Sequence, residues 1–95
     1  MDREELLRQA RERNVPYYIA ELKRMGHPYP NETRTLEDMS DHEYWLLDNM
    51  YRYYRSLELA PKYGINTDGL TDYFNTPYCE VEGLILEIEV ETGMV

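Results

Sequence analysis

The chain lacks most of the residue patterns that simple functional signatures require. Its single cysteine, Cys79, leaves no internal disulfide and no cysteine pair for zinc, which points to a reducing, cytoplasmic setting. No apolar run approaches the ~18 residues that a membrane span needs. The opening Met1-Asp2-Arg3-Glu4-Glu5 is charged and has no apolar stretch, so no secretory signal is expected. There is no glycine-rich phosphate loop and no Ser-His-Asp pattern. Basic residues thin out along the chain, and none occurs in the last nineteen residues.

What is present is acid and tyrosine. The formal net charge is −9 over 95 residues, and it is uneven. Residues 1–26 are nearly balanced, whereas residues 27–95 hold fourteen acids against Arg34, Arg52, Arg55 and Lys62. Five glutamates, Glu80, Glu82, Glu87, Glu89 and Glu91, lie in the final base-free stretch. Such a surface repels nucleic acid and acidic membranes and favours a basic partner. Its plain alternative is that the charge only keeps a small protein in solution.

Ninety-five residues suit a single domain with a thin core. Residues 2–13 read as a helix supported by Glu4–Arg8 and Arg8–Glu12, docking through Leu6, Leu7 and Ala10. Asn14-Val15-Pro16 is expected to break or kink it, with Pro16 opening a second helix. Val15, Tyr18, Ile19, Leu22 and Met25 then form an amphipathic stripe that Gly26 ends. Residues 26–35 read as a loop, and Leu36 to Met39 as a short turn.

Ser40 opens the most aromatic helix. Ser40-Asp41-His42-Glu43 has the spacing of a capping box. At about 100° per residue, Tyr44, Leu46, Leu47, Met50, Tyr51, Tyr53, Tyr54 and Leu57 cover half the circumference. That arc is wider than the usual stripe and predicts a central helix with neighbours on two sides. Asp48, Asn49, Arg52, Arg55 and Ser56 take the polar half. Trp45 joins them there, which a core role does not explain. Tyr44, Tyr51 and Tyr54 are expected in the core with their hydroxyls reaching the surface. Trp45, with Tyr17, Tyr29 and Tyr63, makes a candidate binding patch. Ala60 to Gly64 ends the helix, Asn66-Thr67-Asp68-Gly69 is a turn, and Leu70, Tyr73 and Phe74 suggest a short helix.

The C-terminal segment supports two readings. Leu86-Glu87-Ile88-Glu89-Val90-Glu91 alternates as a half-buried strand does. Thr76-Pro77 with Glu80 opens a helix, however, and Tyr78, Val81, Leu84, Ile85 and Ile88 share one helical face, closed by Gly93. The helix is the favoured reading. The fold class is therefore all-α, a small three- to four-helix bundle around the aromatic helix.

None of the candidate chemistry is specific. His42 lies near Asp38 and Asp41 but lacks the i,i+4 spacing that brings two ligands to one face. His27 is an isolated loop histidine. Cys79 has no histidine close in sequence and sits between Tyr78 and Val81, which suggests packing. The Asn66 cluster lacks the glutamate of a calcium loop, since Pro77 stands where it is needed. No enzyme activity, cofactor or metal is expected.

The expected function is protein binding: an acidic inhibitor or adaptor that docks on a basic surface, such as that of a nucleic-acid-binding protein, with carboxylates standing in for phosphates. Small acidic phage and mobile-element proteins share this size and charge, and the likeness extends no further. An antitoxin facing a basic toxin and a self-associating assembly protein, such as a homodimer, are the alternatives. Direct binding to nucleic acid or membrane is not expected. The residues assigned to partner binding are Trp45, Asp48, Arg52, Glu80, Glu82, Glu87, Glu89 and Glu91.

Overall fold

A computed structural model of the chain describes residues 2–29 and 39–93. Three α-helices, α1 (Arg3–Arg24), α2 (Asp41–Leu59) and α3 (Tyr78–Glu91), make the chain all-α, with no strand among the described residues. Short 3-10 turns occupy Ala60–Tyr63 and Tyr73–Asn75. The chain divides into two compact units, Met1–Tyr51 and Arg52–Val95, and α2 contributes its first part to one and its second part to the other. The expected turn over Leu36 to Met39 lies outside the described residues except for Met39, which is buried.

In the first unit, Asp2 caps α1 by accepting a hydrogen bond from the Glu5 amide at 2.8 Å. The expected break at Pro16 does not occur, and one helix of 22 residues runs through it. Pro16 gives the Glu12 carbonyl no amide partner, an interruption that ordinarily kinks or ends a helix. Contacts with α2 on both sides of Pro16 hold the helix together. Before it, the Arg11 guanidinium pairs with Asp41 and lies 4.7 Å from the centre of the Tyr44 ring, while Asn14 donates to the Tyr44 hydroxyl at 3.2 Å. After it, Tyr18 stacks on Tyr51 with ring centres 4.5 Å apart, and the Tyr51 hydroxyl donates to that of Tyr17. Val15 and Leu22 are buried.

The first turns of α1 depart from expectation, because Leu6 and Leu7 are exposed and do not dock. Arg8 pairs loosely with Glu5 and Glu12 on an open surface, where such pairs contribute little. The helix ends as Gly26 predicts. With Gly26 at φ 84°, its amide bonds to the Lys23 carbonyl and that of His27 to the Leu22 carbonyl, the two bonds of a Schellman motif.

Ser40 caps α2 as its spacing predicts, its hydroxyl accepting from the Glu43 amide at 3.1 Å. Leu47, Met50, Tyr53 and Tyr54 are buried along the helix, as is Ser56, which was expected on the polar side. The Ser56 hydroxyl donates to the Arg52 carbonyl one turn back at 2.7 Å, so it reaches the interior with its polarity satisfied.

The second unit is organised by tyrosines. Tyr53 is fully buried and donates to the Thr71 carbonyl at 2.6 Å. Its hydroxyl also lies 3.1 Å from Thr76 Oγ1, which accepts from the Thr71 amide. Tyr54 was expected to send its hydroxyl to the surface. Instead the hydroxyl is buried and accepts from the Tyr73 amide at 2.9 Å. These bonds fix residues 71–76 immediately ahead of α3. Thr76 is therefore committed to the interior, and α3 begins at Tyr78, with Pro77 at the cap position and no side-chain cap bond. Gly93 closes it at φ 75°.

Pro16→Ala restores the missing amide donor and should stabilise the chain by about 2 kcal/mol in urea unfolding, after allowing for a looser unfolded chain. A loss of stability would show that the proline itself is required. Tyr54→Phe strands the buried Tyr73 amide and should cost about 1–3 kcal/mol. Burial also raises the Tyr54 phenol above its ordinary value of 10.0, with the Asp72 carboxylate adding to the effect and the Tyr73 amide opposing it. A raised folded value means that this contribution is intact below pH 10 and is lost as the pH climbs through the folded pKa. The alkaline fall in melting temperature should therefore be shallower in Tyr54→Phe than in the parent.

Candidate partner-binding surface

The C-terminal helix buries one face and exposes another that is also apolar. Val81, Leu84, Ile85 and Ile88 face the interior of the second unit. Burial of each such side chain stabilises by roughly 1.5–3 kcal/mol. On the opposite side lie Cys79, Gly83, Leu86 and Val90, all exposed. Leu86 and Val90 retain 52% and 56% of their accessible surface, as much as Leu6 and Leu7 of α1, and they lie one turn apart on one face. A recess of about 280 Å³ opens beside them, lined by Ile65, Leu86, Glu87, Val90 and Glu91.

Glutamates border this outward strip on both sides. Stepping 100° per residue places Glu82 and Glu89 along one edge and Glu80, Glu87 and Glu91 along the other. Glu89 is held by Arg52 at 3.2 Å and is the most enclosed of the pair, at 18% side-chain exposure. The last turn of α3 carries no base, so its carbonyl ends meet like charge from Glu89 and Glu91.

Gly83 adds a second irregularity. It lies within the helix, where glycine costs about 1 kcal/mol relative to alanine. A Cβ there would meet nothing within 4 Å, so packing inside the chain does not account for it.

The predicted binding residues divide between the two units. Trp45 and Asp48 belong to the first. Trp45 is 42% exposed, as its place in the polar half implied, and its ring stacks on His42 at 5.9 Å. Arg52 and the five glutamates belong to the second unit, where α3 displays the glutamates and Arg52 pairs with one of them. The expected tyrosine patch is only partly exposed. Tyr29 is 2% exposed and Tyr63 is half-buried beside Lys62, whereas Tyr17 stays exposed, as expected, with its ring edge-on to Tyr51. Cys79 and Tyr78, expected to pack, are both exposed. Asn66 forms a turn by accepting from the Asp68 amide at 2.8 Å. No group of three metal-ligating side chains occurs among the described residues, and Asp38 lies outside them. No described helix is long and apolar enough to cross a membrane.

Leu86, Val90 and Ile65 were not anticipated as site residues. Their signal was the alternation of residues 86–91, which suggested a strand. In a helix, alternate residues lie about 200° apart, so Ile88 points inward while Leu86 and Val90 point outward. Comparison with protein-family models, with curated proteins and with solved structures found no match.

Gly83→Ala should raise stability by about 0.5–1 kcal/mol, measured by thermal melting of the isolated chain. A decrease would mean that the helix needs glycine for its own packing.

Proposed function

We propose that the chain is an acidic protein-binding module without catalysis of its own, an inhibitor or adaptor that docks on a basic surface of a partner. The observation that carries this reading is the exposed strip of α3, with Leu86 and Val90 bordered by glutamates in a segment that contains no base. Apolar area supplies affinity, while the bordering charge selects the partner and speeds encounter. Nucleic-acid-binding proteins are the natural targets, since they present clustered lysine and arginine to phosphates. Arg52 acts within this reading by holding Glu89 in place rather than by touching the partner. A homodimer is the competing reading, favoured by the exposure of Leu86 and Val90 and opposed by the glutamates beside them.

The experiment is capture of partners from an extract of the source organism, followed by titration of the purified partner at roughly 50 and 500 mM salt. The expected partner is basic, and its binding weakens about tenfold or more over that range and again in Glu87→Lys/Glu91→Lys. A neutral or acidic partner, bound equally well at both salt concentrations, would contradict the reading.

A further inference from the structure

The outward strip of α3 has the spacing of a coiled-coil seam. Cys79, Gly83, Leu86 and Val90 are separated by four, three and four residues, the interval of a and d positions in a heptad. In that frame Glu80 and Glu87 occupy e positions, and Glu82 and Glu89 occupy g positions. The e and g positions within the helix are thus uniformly glutamate. The buried residues Val81, Leu84, Ile85 and Ile88 take b, c and f positions, which ordinarily face solvent. The helix is turned so that the surface matching a heptad partner is the one it exposes.

We propose that this seam binds one amphipathic helix of a partner protein, with aliphatic residues along its contact line and lysine or arginine flanking them. The proposal rests on the function proposed above and narrows it from a basic surface to a basic helix. Three features support it. Charge excludes a second copy of α3, because parallel pairing sets g against e and antiparallel pairing sets e against e and g against g, glutamate facing glutamate in both cases. The recess between Ile65 and the Leu86–Val90 edge offers an apolar side chain a place beside the seam. Gly83 stands at an a position where the chain's own atoms leave open space, so a partner backbone can approach closely.

The test uses three synthetic helical peptides of equal length. The first has leucine at a and d with lysine at e and g. The second has the same composition in scrambled order, and the third replaces the lysines by glutamate. The first should bind and gain helicity on binding. Leu86→Asp should weaken it about tenfold or more, and so should Glu87→Lys. The scrambled peptide should bind at least about tenfold more weakly, and the glutamate peptide not at all. Circular dichroism checks the fold of each variant, and Val90→Asp replaces Leu86→Asp if the latter loses helicity.

If the scrambled peptide binds equally well and only Glu87→Lys matters, the seam is refuted while the broader acidic-module reading stands. If the glutamate peptide binds best, or the chain dimerises and Leu86→Asp abolishes dimerisation, both are refuted. Absence of binding by the first peptide refutes the seam, and the broader reading is then judged on its salt-sensitive native partner.

Discussion

A helix with an apolar residue at every second position presents apolar surface in two directions, because alternate residues lie about 200° apart. Residues 86–91 impose this constraint on α3. Ile88 is fully buried, and Leu86 and Val90 then have no way to follow it inward. The intervening glutamates are confined to the two edges between the faces. The layout of charge and apolar surface at the C-terminal end therefore follows from local sequence, once the segment is helical and one face is docked.

Which face docks is decided just upstream. Tyr53 and Tyr54 of α2 bond to the backbone of Thr71 and Tyr73 at 2.6 and 2.9 Å, and Thr76 braces the same segment through bonds to the Thr71 amide and the Asp72 carbonyl. A shift of one residue at the start of α3 would turn the helix by about 100° and bring glutamates toward the interior. Buried carboxylates without partners are costly, so the hydrogen-bonded tyrosines and the pattern of α3 select the same orientation. Thr76, read from the sequence as part of the opening of α3, belongs to that cluster instead.

Much of the fold was legible in the sequence, and the misses have physical causes. Ser40 with Glu43 announced the start of α2, and Gly26, Gly64 and Gly93 marked where helical segments end, each with positive φ. These are local signals, and local chemistry decides them. Pro16 misled because its cost is local whereas the contacts that overcome it join Arg11, Asn14, Tyr17 and Tyr18 of α1 to Asp41, Tyr44 and Tyr51 of α2, a helix distant in sequence. Ser56 looked exposed because its polarity is satisfied by a carbonyl of its own helix. The exposure of Trp45 in the first unit was legible, and so were the glutamates of α3. Leu86 and Val90 were not, because an apolar residue reads as core until the other face of its helix is known to be buried.

The outward face of α3 is proposed to receive a basic helix. The most direct measurement is an amide chemical-shift map of the labelled chain titrated with the leucine–lysine heptad peptide. The predicted result is a set of perturbations concentrated on Cys79, Gly83, Leu86, Glu87 and Val90, with Leu47 and the Trp45 indole unmoved. Perturbations centred on Trp45 and the first turns of α2, with α3 silent, would contradict it.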